Sequence, residues 1–234
     1  MWLTKFKDEP EYKATKDALD FQKKAFDKIK DLEYAAIFHE QGLGKTKIAI
    51  DLLLYWFKKQ IVDIVVIFTK KGLLYNWEKE IIKHSDIIPS IFSQNKVSNF
   101  GSFTAASRLF VGNFELLITE FERFKNFFDG KKVGVILDES TKIKNPKARI
   151  TKYFFNFSKK FKKRIIMTGT PSANRPEDLW AQIKFLDDGE SLGKDFKTFA
   201  KTVSLNNKLS KDRERQIQYE KNLENLKIKI EPFS

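Results

Sequence analysis

The segment that most narrows the possible folds is His39-Glu40-Gln41-Gly42-Leu43-Gly44-Lys45-Thr46, which joins a short apolar run, Tyr34 to Phe38, to a long amphipathic one, Lys45 to Lys58. A glycine turn between a strand and a helix lets backbone N–H groups wrap a phosphate chain, and the helix N-terminus adds partial positive charge. Gln41, Gly42, Leu43 and Gly44 form the turn; Lys45 can reach the outer two phosphates of a nucleotide, and the Thr46 hydroxyl can ligate Mg2+. The full Walker pattern places glycine where His39 stands, so this is the shorter Gly-x-Gly-Lys-Thr form. Because the motif works only in strand-turn-helix order, it points to an α/β fold.

A second run, Val133-Gly134-Val135-Ile136-Leu137-Asp138-Glu139, delivers two adjacent carboxylates at the end of a predicted strand. In open α/β sheets ligands bind outside those ends. There Asp138 would hold Mg2+ directly or through water, and Glu139 would orient and deprotonate an attacking water. Alone, an Asp-Glu pair after a strand is ordinarily a solvated loop; a phosphate-cradling turn on another strand reverses that reading. A third loop, Met167-Thr168-Gly169-Thr170-Pro171, offers two hydroxyls around a glycine. Thr168, Gly169 and Thr170 can link the carboxylate pair to what lies beyond and so report nucleotide state, although small polar residues are also ordinary turn formers.

Between Tyr34 and Leu186, short Ile- and Val-rich runs alternate with longer amphipathic stretches, the pattern of βαβ units around a mainly parallel sheet with helices on both faces. Strands are predicted at Tyr34 to Phe38, Asp63 to Thr69, Glu115 to Thr119, Val133 to Leu137 and Arg164 to Thr168. Helices are predicted at Lys45 to Lys58, Gly72 to Lys83 and Pro176 to Leu186, and Ser93 to Ser107 is expected to be a loop or irregular insertion. The ATP-binding unit is expected over residues 1–190, and 191–234 forms a helical extension in which Ser210 to Lys229 leaves the main sheet. The apolar stretches Ile48 to Phe57 and Ile64 to Phe68 fall far short of the roughly 18 to 20 residues of a membrane span. Met1 to Pro10 lacks the apolar region of a secretory signal, so a cytoplasmic, nucleoid or nuclear setting is expected and no membrane partner.

Cysteine is absent and His39 and His84 are the only histidines, which excludes disulfides and thiolate metal sites and leaves oxygen-bound Mg2+ as the expected metal. The net charge of +13 fits a polyanionic partner, but the excess is mostly lysine in a chain also rich in Ile, Phe and Asn, which AT-rich coding would equally produce.

The order and wording of the motifs resemble one family, the superfamily-2 helicase-like ATPases, and within it the SNF-type branch of chromatin remodellers and DNA translocases. The residues that carry the resemblance are Gly42 to Thr46; Leu137-Asp138-Glu139-Ser140-Thr141-Lys142-Ile143-Lys144-Asn145; and Thr168-Gly169-Thr170-Pro171 continuing through Asn174 to Glu177-Asp178-Leu179-Trp180. Leu73-Leu74-x-Asn76-Trp77-x-x-Glu80-Ile81 and Leu117-Ile118-Thr119-x-Phe121-Glu122 look like two further family motifs. The resemblance implies an N-terminal RecA-like lobe that binds and hydrolyses ATP with Mg2+, Gln22 reading adenine, and Thr69, Lys70, Lys71, Thr119, Lys142, Lys144 and Asn145 along the backbone of duplex DNA. It also implies a second RecA-like lobe carrying arginine fingers, which is absent from this chain; truncation is the favoured explanation. Trp77 and Trp180 are expected in the core rather than stacked on bases. Two departures stand out: Ser140-Thr141 lacks the histidine that relatives use to link hydrolysis to the Thr168–Thr170 loop, and His39 replaces an acidic residue. Two other readings share these residues: a superfamily-2 helicase of restriction or RNA type, and a non-hydrolysing module that binds nucleic acid or a protein partner.

Overall fold

The computed structural model describes residues 11–93, 96–171, 175–209 and 211–230. Asn174 therefore lies outside the described residues. Six strands, β1 (Tyr34–Ile37), β2 (Ile64–Thr69), β3 (Ser90–Ile91), β4 (Leu109–Asn113), β5 (Val133–Asp138) and β6 (Phe161–Met167), form one sheet in the order β1-β6-β5-β2-β4-β3. Every pairing within it is parallel. A parallel sheet needs crossover connections that cover both faces, and the strands become apolar throughout for the same reason: all six residues of β2 are buried.

Alternate residues of each strand feed opposite layers. Val65, Ile67, Ile136 and Met167 meet α2 (Lys45–Lys58) and α3 (Leu74–His84), where Ile48, Leu52, Trp56, Trp77 and Ile81 are buried. Val66, Phe68, Val135, Leu137 and Ile166 point the other way, into a phenylalanine-rich layer supplied by α6 (Phe121–Phe128), α7 (Arg149–Ser158) and α8 (Asp178–Asp187). Trp77 and Trp180 are both buried, as expected. Leu192, Phe199, Val203 and Leu226, on the C-terminal side of residue 190, belong to this same layer. Phe199 lies on α9 (Phe196–Thr202) and Leu226 on α11 (Arg213–Ile230). Among the described residues no helix is long and apolar enough to cross a membrane.

Four predicted strands and three predicted helices fall on observed elements, with boundaries shifted by up to three residues. Two expectations fail. Glu115 to Thr119 is not a strand: Leu116–Thr119 is a single helical turn, α5, and the strand beside β2 is Leu109–Asn113. A short run of Leu, Leu and Ile fits either element by periodicity. What decides is Asn113, whose Oδ1 accepts the N–H of Leu116 at 3.1 Å and starts the helical turn at the end of β4. Ser93 to Ser107 is not wholly irregular, since it contains α4 (Lys96–Thr104). There the Phe103 ring packs against Phe92, Phe124 and Phe127, and Asn99 is fully buried, accepting from the N–H of Ser93 and donating to Glu120.

Phe154 lies at the centre of the aromatic layer, fully buried, with ring centroids 5.2 Å from Phe68, 5.7 Å from Phe114 and 5.8 Å from Phe185. Phe154→Ala is expected to destabilise the fold by about 3–5 kcal/mol through lost burial and a residual cavity. Urea denaturation checks it: the midpoint should fall with little change in slope.

Candidate nucleotide site at the strand ends

All strands of a parallel sheet end at the same edge, so neighbouring strands bring their following loops together. Here β1, β6, β5 and β2 are consecutive, and they are followed respectively by the Gly42–Thr46 turn, the Thr168–Pro171 loop, Glu139 and Lys70. Residues spread over more than half the chain thereby meet at one edge.

The turn after β1 depends on glycine. Gly42 and Gly44 have φ of +84° and +66°, in the left-handed region that side chains disfavour. At Gly44 an added Cβ would also fall 2.1 Å from Nε2 of Gln22, so a side chain there would have to displace that amide. Gln22 is buried near the start of α1 (Asp20–Ile29), with its Oε1 accepting the N–H of Leu19 at 2.9 Å. That bond fixes which end of the amide faces the turn. Lys45 folds back and donates to the carbonyls of His39 at 2.8 Å and Glu40 at 3.0 Å. His39 has its pKa lowered, first by burial and then by the Lys45 charge. A cavity of about 430 Å³ opens beside the turn, lined by Gln22, Gly42, Gly44, Lys45 and Thr46 and closed by Glu80, Lys83 and His84 of α3.

On β5, Asp138 accepts at its Oδ2 from the Thr69 hydroxyl at 2.9 Å and from the indole N–H of Trp77 at 2.8 Å. Burial pushes its pKa up, against the lowering effect of those two donors. Both donors sit on one oxygen. The next residue, Glu139, has φ of +57° and pairs with Lys70 Nζ at 3.3 Å. Left-handed backbone in a non-glycine residue is a strain that surrounding structure must hold, and such residues cluster at functional sites. The Thr168–Thr170 loop closes against the turn: a Cβ on Gly169 would lie 3.3 Å from Cγ and 3.4 Å from N of Gln41. Thr168 Oγ1 accepts from the N–H of Thr170 at 3.2 Å.

Magnesium is held in nucleotide sites by one or two carboxylates together with phosphate oxygens and water, not by an all-protein cage. The residues fit that pattern. Asp138 is a half-buried carboxylate whose desolvation a cation would offset, and Thr46 lies in the first turn of the helix that follows the glycine turn.

The residues expected to touch nucleic acid are placed less uniformly. Lys70, Lys71 and Lys142 line a cavity of about 330 Å³ with Asn113, Phe114 and Glu115, and Lys142 pairs with Glu115 at 2.8 Å. Lys144 pairs with Asp178 at 2.9 Å, and Asn145 Oδ1 caps its own turn by accepting the N–H of Lys147. Thr69 and Thr119 are placed differently. Thr69 is fully buried and its hydroxyl is committed to Asp138, so it faces the acidic pair rather than a backbone track. Thr119 sits at the end of the α5 turn with its hydroxyl donating to the Leu116 carbonyl at 3.4 Å; the strand end is Asn113. Sequence reasoning placed Trp77 in the core and missed its bond to Asp138, because a tryptophan's apolar bulk is legible in a pattern and the partner of its N–H is not.

Fold and site together define a RecA-like P-loop lobe. The chain belongs to the SNF2-related domain family, whose description matches residues 32–233, and it corresponds to an N-terminal lobe of that family. It is similar to the ISWI chromatin-remodeling complex ATPase ISW2 of Saccharomyces cerevisiae, at 30% identity over 63% of this chain and 13% of that protein. The DNA annealing helicase and endonuclease ZRANB3 of Bos taurus is 32% identical over 63% of this chain and 14% of its own length. The chain thus spans about an eighth to a seventh of these relatives. Among solved structures, the Sulfolobus solfataricus SWI2/SNF2 ATPase core in complex with dsDNA matches its fold with a TM-score of 0.75 at 21% identity, over 96% of this chain and 45% of that one.

The Trp77–Asp138 bond predicts energetic coupling between α3 and β5. In a double-mutant cycle of Trp77→Phe and Asp138→Ala read by chemical denaturation, the interaction energy should be about 1.5–3 kcal/mol, as for hydrogen bonds to charged groups. Additive effects would mean that the indole N–H contributes only by packing.

Proposed function

We propose that this chain is the ATP-binding and ATP-hydrolysing lobe of a DNA-stimulated, SNF-type translocase that acts on duplex DNA. The observation that carries the reading is that Lys45 and Thr46, which line the cavity that Gln22 borders after β1, open on the same sheet edge as Asp138 and Glu139 at the end of β5, two strands away. Lys45 would exchange its contacts with the His39 and Glu40 carbonyls for the β and γ phosphates, and the N–H groups of residues 41–46 would receive phosphate oxygens. Gln22 would read adenine with the amide donor that its bond to Leu19 leaves facing the turn. Thr46 and Asp138 would hold Mg2+, which supplies charge neutralisation on the transferring phosphoryl group. Glu139 would act as base toward the attacking water, and Thr168, Gly169 and Thr170 would sense nucleotide state from their position against Gln41.

Relatives named as chromatin-remodelling ATPases, and a fold neighbour solved with dsDNA, support duplex DNA as the polyanion. Lys70, Lys71 and Lys142 at the strand ends give it a phosphate track, with Lys144 and Asn145 beside it. Phosphate contacts of this kind position a duplex without reading its sequence. Residues 191–234 would lead toward a second lobe that closes the cleft and supplies an arginine to the transition state, and the setting is intracellular.

Two measurements test the reading. Lys45→Ala should abolish most ATP binding in calorimetry while leaving the unfolding midpoint near that of the parent; equal affinity in the variant would remove the P-loop assignment. Duplex DNA should bind weakly and without sequence preference, with affinity falling against salt by a log–log slope of about −0.9 per phosphate engaged. Titrations of duplex, single-stranded DNA and RNA at two salt concentrations check this, and preference for a single strand or RNA would favour a helicase of another branch.

A further inference from the structure

The residue after the acidic pair, Ser140, is fully buried, and a buried hydroxyl must find a partner. Its Oγ donates to Oε1 of Gln182 at 2.6 Å. Gln182 is also fully buried, on α8, and its Nε2 donates to the carbonyl of Pro171 at 2.8 Å and to that of Asp178 at 2.9 Å. One side-chain amide therefore joins the loop that carries Glu139 to the loop that carries Thr168, Gly169 and Thr170. Asp178, one turn earlier on the same face of α8, adds a second strut through its ion pair with Lys144. At the position where relatives use a histidine for such a link this chain has Thr141, and Gln182 lies outside every motif read from the sequence.

We propose that Gln182 is a positioning residue that transmits nucleotide state from the Asp138–Glu139 loop to the Thr168–Pro171 loop. The inference rests on the nucleotide reading above and extends it to a residue that touches neither nucleotide nor metal. Ser140 and Gln182 are both fully buried, and Pro171 and Asp178 are half-buried, so moving Ser140 leaves the amide two options: to carry Pro171 with it, or to leave buried polar atoms without partners. The second is unfavourable for atoms that water does not reach. A leucine of similar volume would fill the same space and carry no bond to either loop. Packing alone therefore predicts that Gln182→Leu is silent toward the distant loop, and the relay predicts that it is not.

The test is backbone amide exchange at Thr168, Gly169 and Thr170 in the intact chain, with and without magnesium and the non-hydrolysable analogue AMP-PNP. Calorimetry of the same samples reports binding. In the parent chain, nucleotide should change exchange at these amides by about fivefold or more, the lower end of ordinary coupling between sites. In Gln182→Leu and in Ser140→Ala the analogue should still bind while that response disappears, and amides of β2 and β5 should remain protected as in the parent. Ser140→Ala keeps the test decisive where the leucine variant fails to fold, because it removes one hydroxyl and leaves the bonds of Gln182 to Pro171 and Asp178. A full response in either nucleotide-bound variant overturns the relay, as does a parent chain that binds the analogue with no response in the loop. Failure of the parent to bind nucleotide at all shows in the calorimetry and sinks the nucleotide reading, and the relay with it.

Discussion

A carboxylate partly withdrawn from water needs donors, and Asp138 takes its two side-chain donors on a single oxygen, from Thr69 at the end of β2 and Trp77 in α3. These bonds tie three elements into one corner. Burial still leaves the group disposed to keep a proton, since its pKa stays raised with both donors in place. A cation beside it, as in the proposed Mg2+ site, would remove that disposition. The corner's cost in stability is borne by the packed layers on either side of the sheet.

Parallel topology turns this corner into a site. Because β1, β6, β5 and β2 are neighbours and run the same way, four loops from distant parts of the chain open on one edge, and their approach is governed by small residues. Gly44 admits the Gln22 amide, and Gly169 admits the Gln41 backbone. A side chain at Gly44 would have to displace that amide, and one at Gly169 would crowd Gln41. Helix α8 lies behind this edge, and its Asp178 and Gln182, four residues apart on one face, each reach a loop.

Charge is distributed with more discrimination than the net value of +13 conveys. At the strand ends Lys70, Lys142 and Lys144 are each paired with a carboxylate, Glu139, Glu115 and Asp178 respectively. Exposed pairs of this sort are worth little by themselves and are easily exchanged for a stronger anion. A phosphate arriving at this edge would compete with carboxylates for the lysines, and one of those carboxylates is Glu139.

The sequence by itself determined the α/β class, four of the strands and the helix after the glycine turn, and it singled out Gln41 to Thr46, Asp138 and Glu139 as candidates, because glycine turns, two-sided apolar runs and terminal carboxylates are local patterns with local causes. It placed β4 six residues too late, since Leu116, Leu117 and Ile118 satisfy a strand pattern as well as Leu109, Phe110 and Val111 do; only pairing with β2 and the Asn113 side chain distinguish them. Thr69 was legible as a strand-end residue but not as a donor to Asp138, and Gln182 was not legible at all. Both have partners that lie between 42 and 69 positions away in the chain, or across a loop. A hydrogen bond depends on where its two ends arrive in space, and that is decided by sheet order and helix packing, which no local pattern contains.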